Sequence, residues 1–281
     1  MKQKNEKWAF ATFSSGALWG PARRRIRVQA NKMDSFESVI VADEKWMRAN
    51  SKEFVSLYNF FKSYPKGYGY WIWKPLLIES VFNLYPDCTG IVYADSGCEL
   101  NILGRERLHE YFEIANLNGV LSFELSGLES EYTHPKFFSD LSFNIAQTQK
   151  QVGATAFIIQ NKPNTRKFLS DWFHLMTKEN FKYLLGEDGP LKNPDPKIFP
   201  HYLAHRHDQS IFSNLIQLYG FSKIKEEFEW NPDWVTKGKI YPIWAARNRL
   251  RISVTSNKYV TFAYRVLRKF SSIISFKKYF F

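Results

Sequence analysis

The sequence predicts an α/β fold with a mostly parallel central sheet flanked by helices. Short apolar runs typical of strands alternate with longer amphipathic stretches typical of helices, which is the pattern of a largely parallel sheet. One apolar run, residues 91–94, ends abruptly at Asp95, as a buried strand does when it delivers a carboxylate to a loop. The chain has 281 residues and is 44% hydrophobic, which suits one globular domain with at most a modest appendage.

The predicted elements follow this alternation along the chain. The strands are predicted at residues 8–13, 38–42, 91–94, 119–125 and 155–160. Helices are predicted over residues 19–32, 44–64, 75–84, 103–115, 163–176 and 208–219.

Individual residues mark where some of these elements begin and end. Pro75 suits the first turn of its helix, where its fixed φ is tolerated. Asp208 is a candidate N-cap for the last helix, and Gly220 is the matching C′ residue. Residues 182–204 contain several Pro and Gly residues and are predicted to form a long loop, a feature often found as a functional lid.

The chain is basic, with 39 Lys and Arg against 27 Asp and Glu and a net charge of +12. Such a balance implies anionic partners, namely nucleic acid, anionic lipid or phosphorylated substrates. Much of the charge lies in Arg23–Arg27 and between Arg247 and Lys278. Charge in a tail favours a surface-binding appendage over a nucleic-acid groove. The run at 23–27 is interpreted as a basic helix face, with Arg24 or Arg25 facing a bound diphosphate as the alternative.

We therefore divide the chain into a domain over residues 1–245 and a basic amphipathic tail over 246–281. In the tail, apolar residues follow helical spacing with basic residues between them, which fits a helix lying on anionic lipid. The alternative is a C-terminal helix packed on the domain. The apolar residues are Phe262, Val266, Leu267, Phe270, Ile273 and Ile274, and the basic ones are Arg265, Arg268 and Lys269.

The cellular location is predicted from the N-terminus and the cysteines. Residues 1–7 are charged and resemble neither a signal peptide nor an anchor, and no window holds the ~18 apolar residues of a membrane span. Cys88 and Cys98 flank a strand that would hold them beyond disulfide reach. Free thiols point to the cytoplasm, and the tail would place the protein at the inner face of the cell membrane.

Asp95, Ser96 and Gly97, followed by Glu99, form the first candidate site. In open α/β sheets ligands bind at the carboxyl ends of the strands. Asp95 is therefore placed to hold a ribose hydroxyl, a metal ion or both. The alternative is an ordinary turn with a solvated aspartate.

Residues 66–75, Lys-Gly-Tyr-Gly-Tyr-Trp-Ile-Trp-Lys-Pro, form the second candidate site. Glycines let the backbone approach a ligand closely, and the aromatic faces suit a base or a sugar. Lys74 lies just before a helix N-terminus, where backbone N–H groups favour phosphate. The alternative is an aromatic core plug with a lysine that reaches solvent. The aromatic residues are Tyr68, Tyr70, Trp71 and Trp73.

Residues 205–210, His-Arg-His-Asp-Gln-Ser, form the third candidate site. Two imidazoles, a guanidinium and a carboxylate gather at a predicted helix start, where the dipole adds positive potential. Such a site could hold a diphosphate, a metal, or an acceptor hydroxyl beside a base. The alternative is Asp208 as a plain N-cap with exposed histidines. The sequence contains no HExxH pattern, which argues against a zinc protease.

Taken in their order along the chain, with residues 66–75 first, these three motifs resemble a group of bacterial GT-A type glycosyltransferases linked with capsule, O-antigen and other surface polysaccharides. The likeness runs from about Trp8 to Gly220 and includes residues 153–160. It implies a Rossmann-like sheet, a nucleotide-diphosphate sugar donor and transfer to an acceptor hydroxyl. A UDP-hexose donor, with galactose in pyranose or furanose form, and a lipid-linked or oligosaccharide acceptor are expected at the family level.

The resemblance also suggests roles for individual residues. Asp95 matches the first acid of the usual Asp-x-Asp motif, whereas the third position is Gly97. A divalent Mn²⁺ or Mg²⁺ would then need Asp95 with Glu99, His205 or His207, and otherwise Arg and Lys side chains would neutralise the diphosphate. Asp208 is the first choice of base, with Glu124 and Asp188 in reserve. The predicted donor-binding residues are Asp95, Ser96, Gly97, Lys74, Trp71, Trp73, Tyr70, Arg25 and Arg206.

Two other classes of function stay open at this point. One is a non-catalytic, basic protein that binds carbohydrate or nucleic acid by stacking on its aromatic residues. The other is a nucleotidyltransferase on a similar sheet. That class ordinarily has a Gly-rich phosphate loop near the first strand, and Ser14-Ser15-Gly16 matches it poorly.

Overall fold

The computed structural model describes residues 6–141, 147–228 and 237–253, together with residue 263. The strands are β1 (Trp8–Phe13), β2 (Ser38–Ala42), β3 (Gly90–Ala94), β4 (Glu99–Leu100), β5 (Val120–Leu128), β6 (Lys150–Val152), β7 (Ala156–Gln160), β8 (Ser222–Lys225) and β9 (Ile243–Trp244). The α-helices are α1 (Gly20–Met33), α2 (Glu44–Asn50), α3 (Lys52–Ser56), α4 (Tyr58–Ser63), α5 (Gly67–Tyr70), α6 (Trp73–Leu84), α7 (Arg105–Asn118), α8 (Glu129–Tyr132), α9 (Pro135–Leu141), α10 (Pro163–Leu185) and α11 (Asp208–Leu218). Short 3₁₀ helices lie at Ala17–Trp19, Ile102–Gly104, Gly186–Asp188 and Lys237–Ile240.

The central sheet has seven strands and runs in the order β2-β1-β3-β7-β5, with β6 and β8 both paired to β5. Strand β1 is parallel to β2 and β3, and β5 is parallel to β8. Strands β7 and β6 run antiparallel to their neighbours. The predicted α/β class with a mostly parallel sheet is confirmed, because all the other strands of this sheet point the same way.

Helices cover both faces of the sheet, so the central strands β1, β3 and β7 bury side chains in two directions. In β1, Ala9, Ala11 and Phe13 belong to one core cluster, and the alternating residues Trp8 and Phe10 belong to the other. The first cluster contains side chains of α6, α10 and α11, and the second contains those of α1 and α7. This double burial explains why the strands are continuous apolar runs.

Two predicted helices have different boundaries in the structure. The segment predicted as one helix over 44–64 forms α2, α3 and α4 instead. Ser51 interrupts it, because its hydroxyl accepts a hydrogen bond from the Phe54 N–H and caps a new helix. The regular part of α10 ends near the predicted residue 176, because residues 178–181 have non-helical backbone angles with positive φ at Glu179, Asn180 and Phe181. A short helical segment then runs to Leu185, so the predicted loop begins later.

The structure describes both cysteines and the first part of the predicted tail. Cys88 and Cys98 are both buried free thiols. Residues 246–253 lie on the domain, while the predicted tail helix falls on residues 254–281, which lie outside the described part of the chain except for residue 263. Within the described residues, no helix combines the length and the apolar character needed to cross a bilayer.

Candidate active site

A cavity of about 1300 Å³ opens where β1 and β3 end and β7 begins. All three motifs predicted from the sequence contribute to its wall. The lining residues from those motifs are Lys66, Gly67, Tyr68, Trp71, Trp73, Lys74, Asp95, Ser96, Gly97, His205, Arg206, His207 and Asp208. The topology brings them together because the carboxyl ends of parallel strands meet at one edge of the sheet.

Asp95 lies at the end of β3, with its side chain 31% exposed to the cavity. Its backbone N–H donates to the Thr155 carbonyl at 2.9 Å, and one carboxylate oxygen accepts from the Tyr93 hydroxyl at 2.5 Å. These bonds fix the carboxylate so that it faces the cavity. Two residues later the chain passes close to the backbone of residue 247, since a Cβ on Gly97 would lie 3.2 Å from the Arg247 Cα.

Lys74, Asp95 and Asp208 form the floor of the cavity. The Lys74 ammonium lies 2.8 Å from an Asp208 oxygen and 3.7 Å from an Asp95 oxygen. It also donates to the Ala154 carbonyl at 2.9 Å. Lys74 and Asp208 are each only 4% exposed at the side chain. The prediction of Asp208 as N-cap is wrong, since His207 is the N-cap and Asp208 is the first helical residue, with its carboxylate turned to Lys74.

Residues 67–71, which include the short element α5, form a left-handed turn beside the floor and not a regular α-helix. All five have positive φ, from 52° at Tyr70 to 78° at Gly69, a conformation that costs energy for residues with a Cβ. A Cβ on Gly67 would lie 2.6 Å from the Trp71 ring, and one on Gly69 would lie 2.6 Å from the Phe61 ring. The prediction that these glycines let a ligand approach the backbone is therefore corrected, because aromatic rings occupy that space.

The aromatic residues of this segment divide into surface and core groups. Trp71 and Tyr68 are partly exposed and line the cavity. Trp73 also lines it but is buried against Phe13, with ring centroids 4.4 Å apart. Tyr70 is buried, and its hydroxyl donates to Asp188 at 2.8 Å. The motif therefore contributes partly exposed rings to the cavity wall and buried rings to the core, and the core interpretation applies to Tyr70 and Trp73.

The two histidines line the cavity as neutral groups. Burial lowers the pKa of His205 to about 3, and its ring bonds the Tyr183 carbonyl and the His134 N–H. Burial and the nearby Lys66 lower the pKa of His207 to about 4. Its Nδ1 bonds the Leu184 carbonyl at 2.9 Å and its Nε2 faces the Lys66 ammonium at 3.0 Å. The histidines therefore add no positive charge at neutral pH.

Arg206 and Asp188 lie on the same side of the cavity as His207. The Arg206 guanidinium lies 3.4 Å from the centroid of the Tyr132 ring and lines the cavity. The Asp188 carboxylate is bound by Lys66 at 2.9 Å and lies 3.7 Å from His207 Nε2. The Asp188 side chain is partly exposed but is not part of the lining.

Residues 245–250, which we call the strap, form a wall that the sequence did not reveal. Arg247 and Arg249 line the cavity, and the Arg249 guanidinium lies 4.8 Å from the centroid of the Trp19 ring. The Asn248 N–H donates to the Gly97 carbonyl at 2.8 Å, which fastens the strap to the loop after β3. The signal in the sequence was an arginine at every second position from 247 to 251, which is an extended pattern rather than a helical one.

Arg25 and Glu99 hold the strap in place from inside the protein. Arg25 is buried and donates to the carbonyls of Ser96, Cys98 and Asn248 at 3.0–3.1 Å. Glu99 is fully buried and accepts from the Asn248 side-chain amide at 2.7 Å. Neither lines the cavity. The predictions of Arg25 as a donor-binding residue and of Glu99 as a metal ligand are therefore corrected. Arg25 already binds main-chain carbonyls, and Glu99 already binds the side-chain amide of Asn248.

Two further predicted roles do not agree with the geometry. Glu124 lies on β5 opposite Val152, with an oxygen 3.8 Å from Lys223 Nζ, and does not line the cavity. Asp95, Glu99 and His207 do not come together, and within the described ranges no three His, Cys, Asp or Glu side chains form a group that could hold a metal ion. The predicted ligand set for Mn²⁺ or Mg²⁺ therefore does not fit this site.

Comparisons with known proteins find likeness in structure only. No protein-family model matches the sequence, and no curated protein matches it. A glycosyltransferase involved in the glycosylation of the major capsid of PBCV-1 aligns over 85% of this chain and 91% of its own, at 8% identity and a TM-score of 0.44.

Two further solved structures align over most of both chains. Mouse xyloside xylosyltransferase 1 aligns over 88% of this chain and 100% of its own, at 10% identity and a TM-score of 0.42. A 4-diphosphocytidyl-2C-methyl-D-erythritol synthase from Anaerococcus prevotii aligns over 94% and 100%, at 9% identity and a TM-score of 0.40. At such identities, the function of this chain has to be inferred from its own residues.

Proposed function

We propose that this chain is a glycosyltransferase that moves a sugar from a nucleotide-diphosphate donor to an acceptor hydroxyl. The observation that carries the proposal is the position of Asp95, whose fixed carboxylate faces a large cavity at the carboxyl ends of β1 and β3. A carboxylate there can accept hydrogen bonds from the hydroxyls of a ribose or a sugar. Trp71 and Tyr68, on the same wall, offer flat faces for the base or the sugar.

The charges that line the cavity suit a diphosphate. Five Lys and Arg side chains line it against two carboxylates, Asp95 and Asp208. Cleavage of the donor leaves new negative charge on the nucleoside diphosphate, and positioned cations stabilise that charge in the transition state. Arginines also bind phosphate oxygens in pairs, through two parallel hydrogen bonds. The cations are Lys66, Lys74, Arg206, Arg247 and Arg249.

Asp208 is the carboxylate that we propose as the base. Of the three predicted candidates it lines the cavity, whereas Glu124 and Asp188 do not. Burial raises its pKa to about 6, despite the opposing effect of Lys74. A carboxylate with a pKa near the working pH is well suited to accept the proton of the acceptor hydroxyl.

The test is to incubate the full chain with UDP-, GDP-, CMP- and dTDP-linked sugars and to measure the release of the nucleotide product from each. We expect one donor class to be consumed. Asp95→Asn should lower turnover at least about tenfold, because a charged hydrogen bond to the donor is lost. Asp87→Asn is the matched control, since Asp87 forms an exposed ion pair with Lys7 away from the cavity.

Other outcomes would identify a different function. Binding of sugars without any turnover would indicate a carbohydrate-binding protein. Release of pyrophosphate from a nucleoside triphosphate and a sugar phosphate would indicate a nucleotidyltransferase. Donor consumption that is unaffected by Asp95→Asn would contradict the site proposed above.

We extend this proposal to the identity of the donor sugar, the acceptor and the cellular location. We favour a UDP-hexose, including galactose in either ring form, and a lipid-linked or oligosaccharide acceptor in bacterial surface polysaccharide synthesis. The basic residues of 254–281 support a place at the inner face of the membrane, because Lys and Arg near an anionic surface are attracted to it. The triple change Arg265→Glu, Arg268→Glu and Lys269→Glu should reduce sedimentation of the full chain with anionic vesicles, and unchanged sedimentation would exclude this anchoring.

A further inference from the structure

The floor of the cavity has a cation of its own. The Lys74 ammonium lies within 3.7 Å of both Asp95 and Asp208, so it occupies the space between the two carboxylates that line the cavity. In a metal-dependent site, that space between two acids is where the divalent ion binds.

The ammonium is held in this place by more than the two acids. It donates to the Ala154 carbonyl at 2.9 Å, and the side chain is 4% exposed. The rings of Trp71 and Tyr93 lie with their centroids 5.8 and 5.7 Å from Nζ, within the range of a cation–π interaction. Since Lys74 lies in the first turn of the helix α6, its backbone is also fixed.

The charge of this group is stable at neutral pH. Burial alone would lower the pKa of Lys74, but the carboxylates of Asp208 and Asp95 outweigh it and the pKa is raised. The side chain therefore stays protonated and acts as a permanent positive charge.

A divalent metal would have to displace this charge. Mg²⁺ binds oxygens at about 2.0–2.1 Å, and the oxygens of Asp95 and Asp208 already face the ammonium. A second cation a few ångströms away would meet strong repulsion in a partly buried site. The further predicted ligands cannot compensate, because Glu99 is engaged by Asn248 and His207 by Lys66 and Leu184.

We propose that Lys74 supplies the positive charge that a divalent metal would otherwise supply, so that this chain transfers its sugar without metal. The inference rests on the proposed function. The bond between the anomeric carbon and the β-phosphate oxygen breaks with its electron pair on that oxygen, and the ammonium stabilises the new charge. A bond forms from the acceptor oxygen to the same carbon, and the acceptor proton goes to Asp208. Lys74 keeps its proton throughout.

The first experiment measures the affinity of the full chain for UDP and, separately, for GDP. Each titration is run once with EDTA and once with Mn²⁺. We expect the nucleotide that binds to do so equally, within about twofold, in both conditions. Loss of binding in EDTA with recovery in Mn²⁺ would overturn the inference and leave the proposed function intact. No binding of either nucleotide or of any nucleotide sugar in both conditions would overturn the two together.

The second experiment removes the charge. Lys74→Met should weaken nucleotide binding in EDTA at least about tenfold, and it leaves two acids without their cation. Electron paramagnetic resonance should then show Mn²⁺ binding that the wild-type chain lacks. Lys167→Met, which removes a lysine paired with Asp171 on the surface of α10, is the control and should change neither readout.

Folding of the variant is controlled separately. Lys74→Met leaves Asp208 buried without its partner, which destabilises proteins strongly. The double variant Lys74→Met with Asp208→Asn removes both charges, and it should fold yet still bind nucleotide more weakly than Asp208→Asn alone. Equal nucleotide affinity of the double variant and Asp208→Asn, or Mn²⁺ binding by the wild-type chain at the floor, would overturn the inference.

Discussion

The floor and the strap line the same cavity, but they place their charges differently. On the floor, Lys74 and Asp208 are 4% exposed and bind each other directly. On the strap, Arg247 and Arg249 are exposed, and the buried charges Arg25 and Glu99 hold the backbone from behind. On the floor, the side chains that form the buried ion pair also line the cavity. On the strap, the buried residues that hold the backbone and the exposed arginines that line the cavity are different residues.

This difference predicts which substitutions separate stability from activity. Changes on the floor should affect both, because each side chain there has a partner that would be left buried and charged. Changes to the exposed arginines should affect ligand binding alone, and changes to their supports should affect folding first.

The largest effect is expected at Asp208. Asp208→Asn should lower the rate of transfer by about 10²–10⁴-fold, since it removes the proton acceptor. In the wild-type chain the carboxyl must be ionised to act, and its pKa is raised to about 6. The rate should therefore fall as the pH decreases below about 6 and stay level above it.

Initial rates between about pH 5 and pH 8 measure this dependence. The comparator is Asp188→Asn, whose carboxylate does not line the cavity, and it should lose less activity than Asp208→Asn. A larger loss at Asp188, or a pH profile without an inflection near pH 6, would contradict the role of Asp208 as base.

The second effect concerns the support of the strap. Arg25→Met should lower the free energy of unfolding by about 3 kcal/mol, because several buried carbonyls lose their donor. Urea denaturation followed by tryptophan fluorescence measures the change. The neighbouring Arg24 is exposed on the same helix, so Arg24→Met should leave the stability unchanged. Equal stability of the two variants would show that the strap does not depend on Arg25.

The smallest effect is expected on the strap itself. Arg249→Gln should weaken nucleotide binding by about tenfold, as expected for one hydrogen bond to a charged phosphate, with no change in stability. The loss should shrink at high salt, since exposed charges are screened. Isothermal titration at low and high ionic strength checks both statements, and a change in unfolding free energy instead would mean that Arg249 is a support rather than a ligand residue.

The motifs predicted from the sequence led to the cavity because each is a local signal. Asp95 ends an apolar run, and Lys74 and Asp208 lie at helix starts, so each could be assigned to the end of a strand or the start of a helix from the sequence alone. The strap escaped prediction because its contacts are remote in sequence, as with Asn248 and Glu99, which are 149 residues apart.

The wrong assignments share a cause. Arg25 and Glu99 stand near motifs and carry charge, and from the sequence alone such residues look like ligand-binding groups. Their burial against main-chain carbonyls and an amide is set by tertiary packing, which residue spacing does not encode. The break at Ser51 is similar, since apolar periodicity continues across it and the cap alone divides the helix.

The left-handed turn at 67–71 has a consequence for how mutational surveys of this protein would read. Replacing Gly67 or Gly69 with any other amino acid forces a side chain into an aromatic ring, so a saturation library should reject nearly every codon at both positions. That intolerance would look the same as the intolerance of a reactive group, although a glycine has no side chain that could react. At this turn, a map of forbidden substitutions would report the space between rings and not the location of the chemistry.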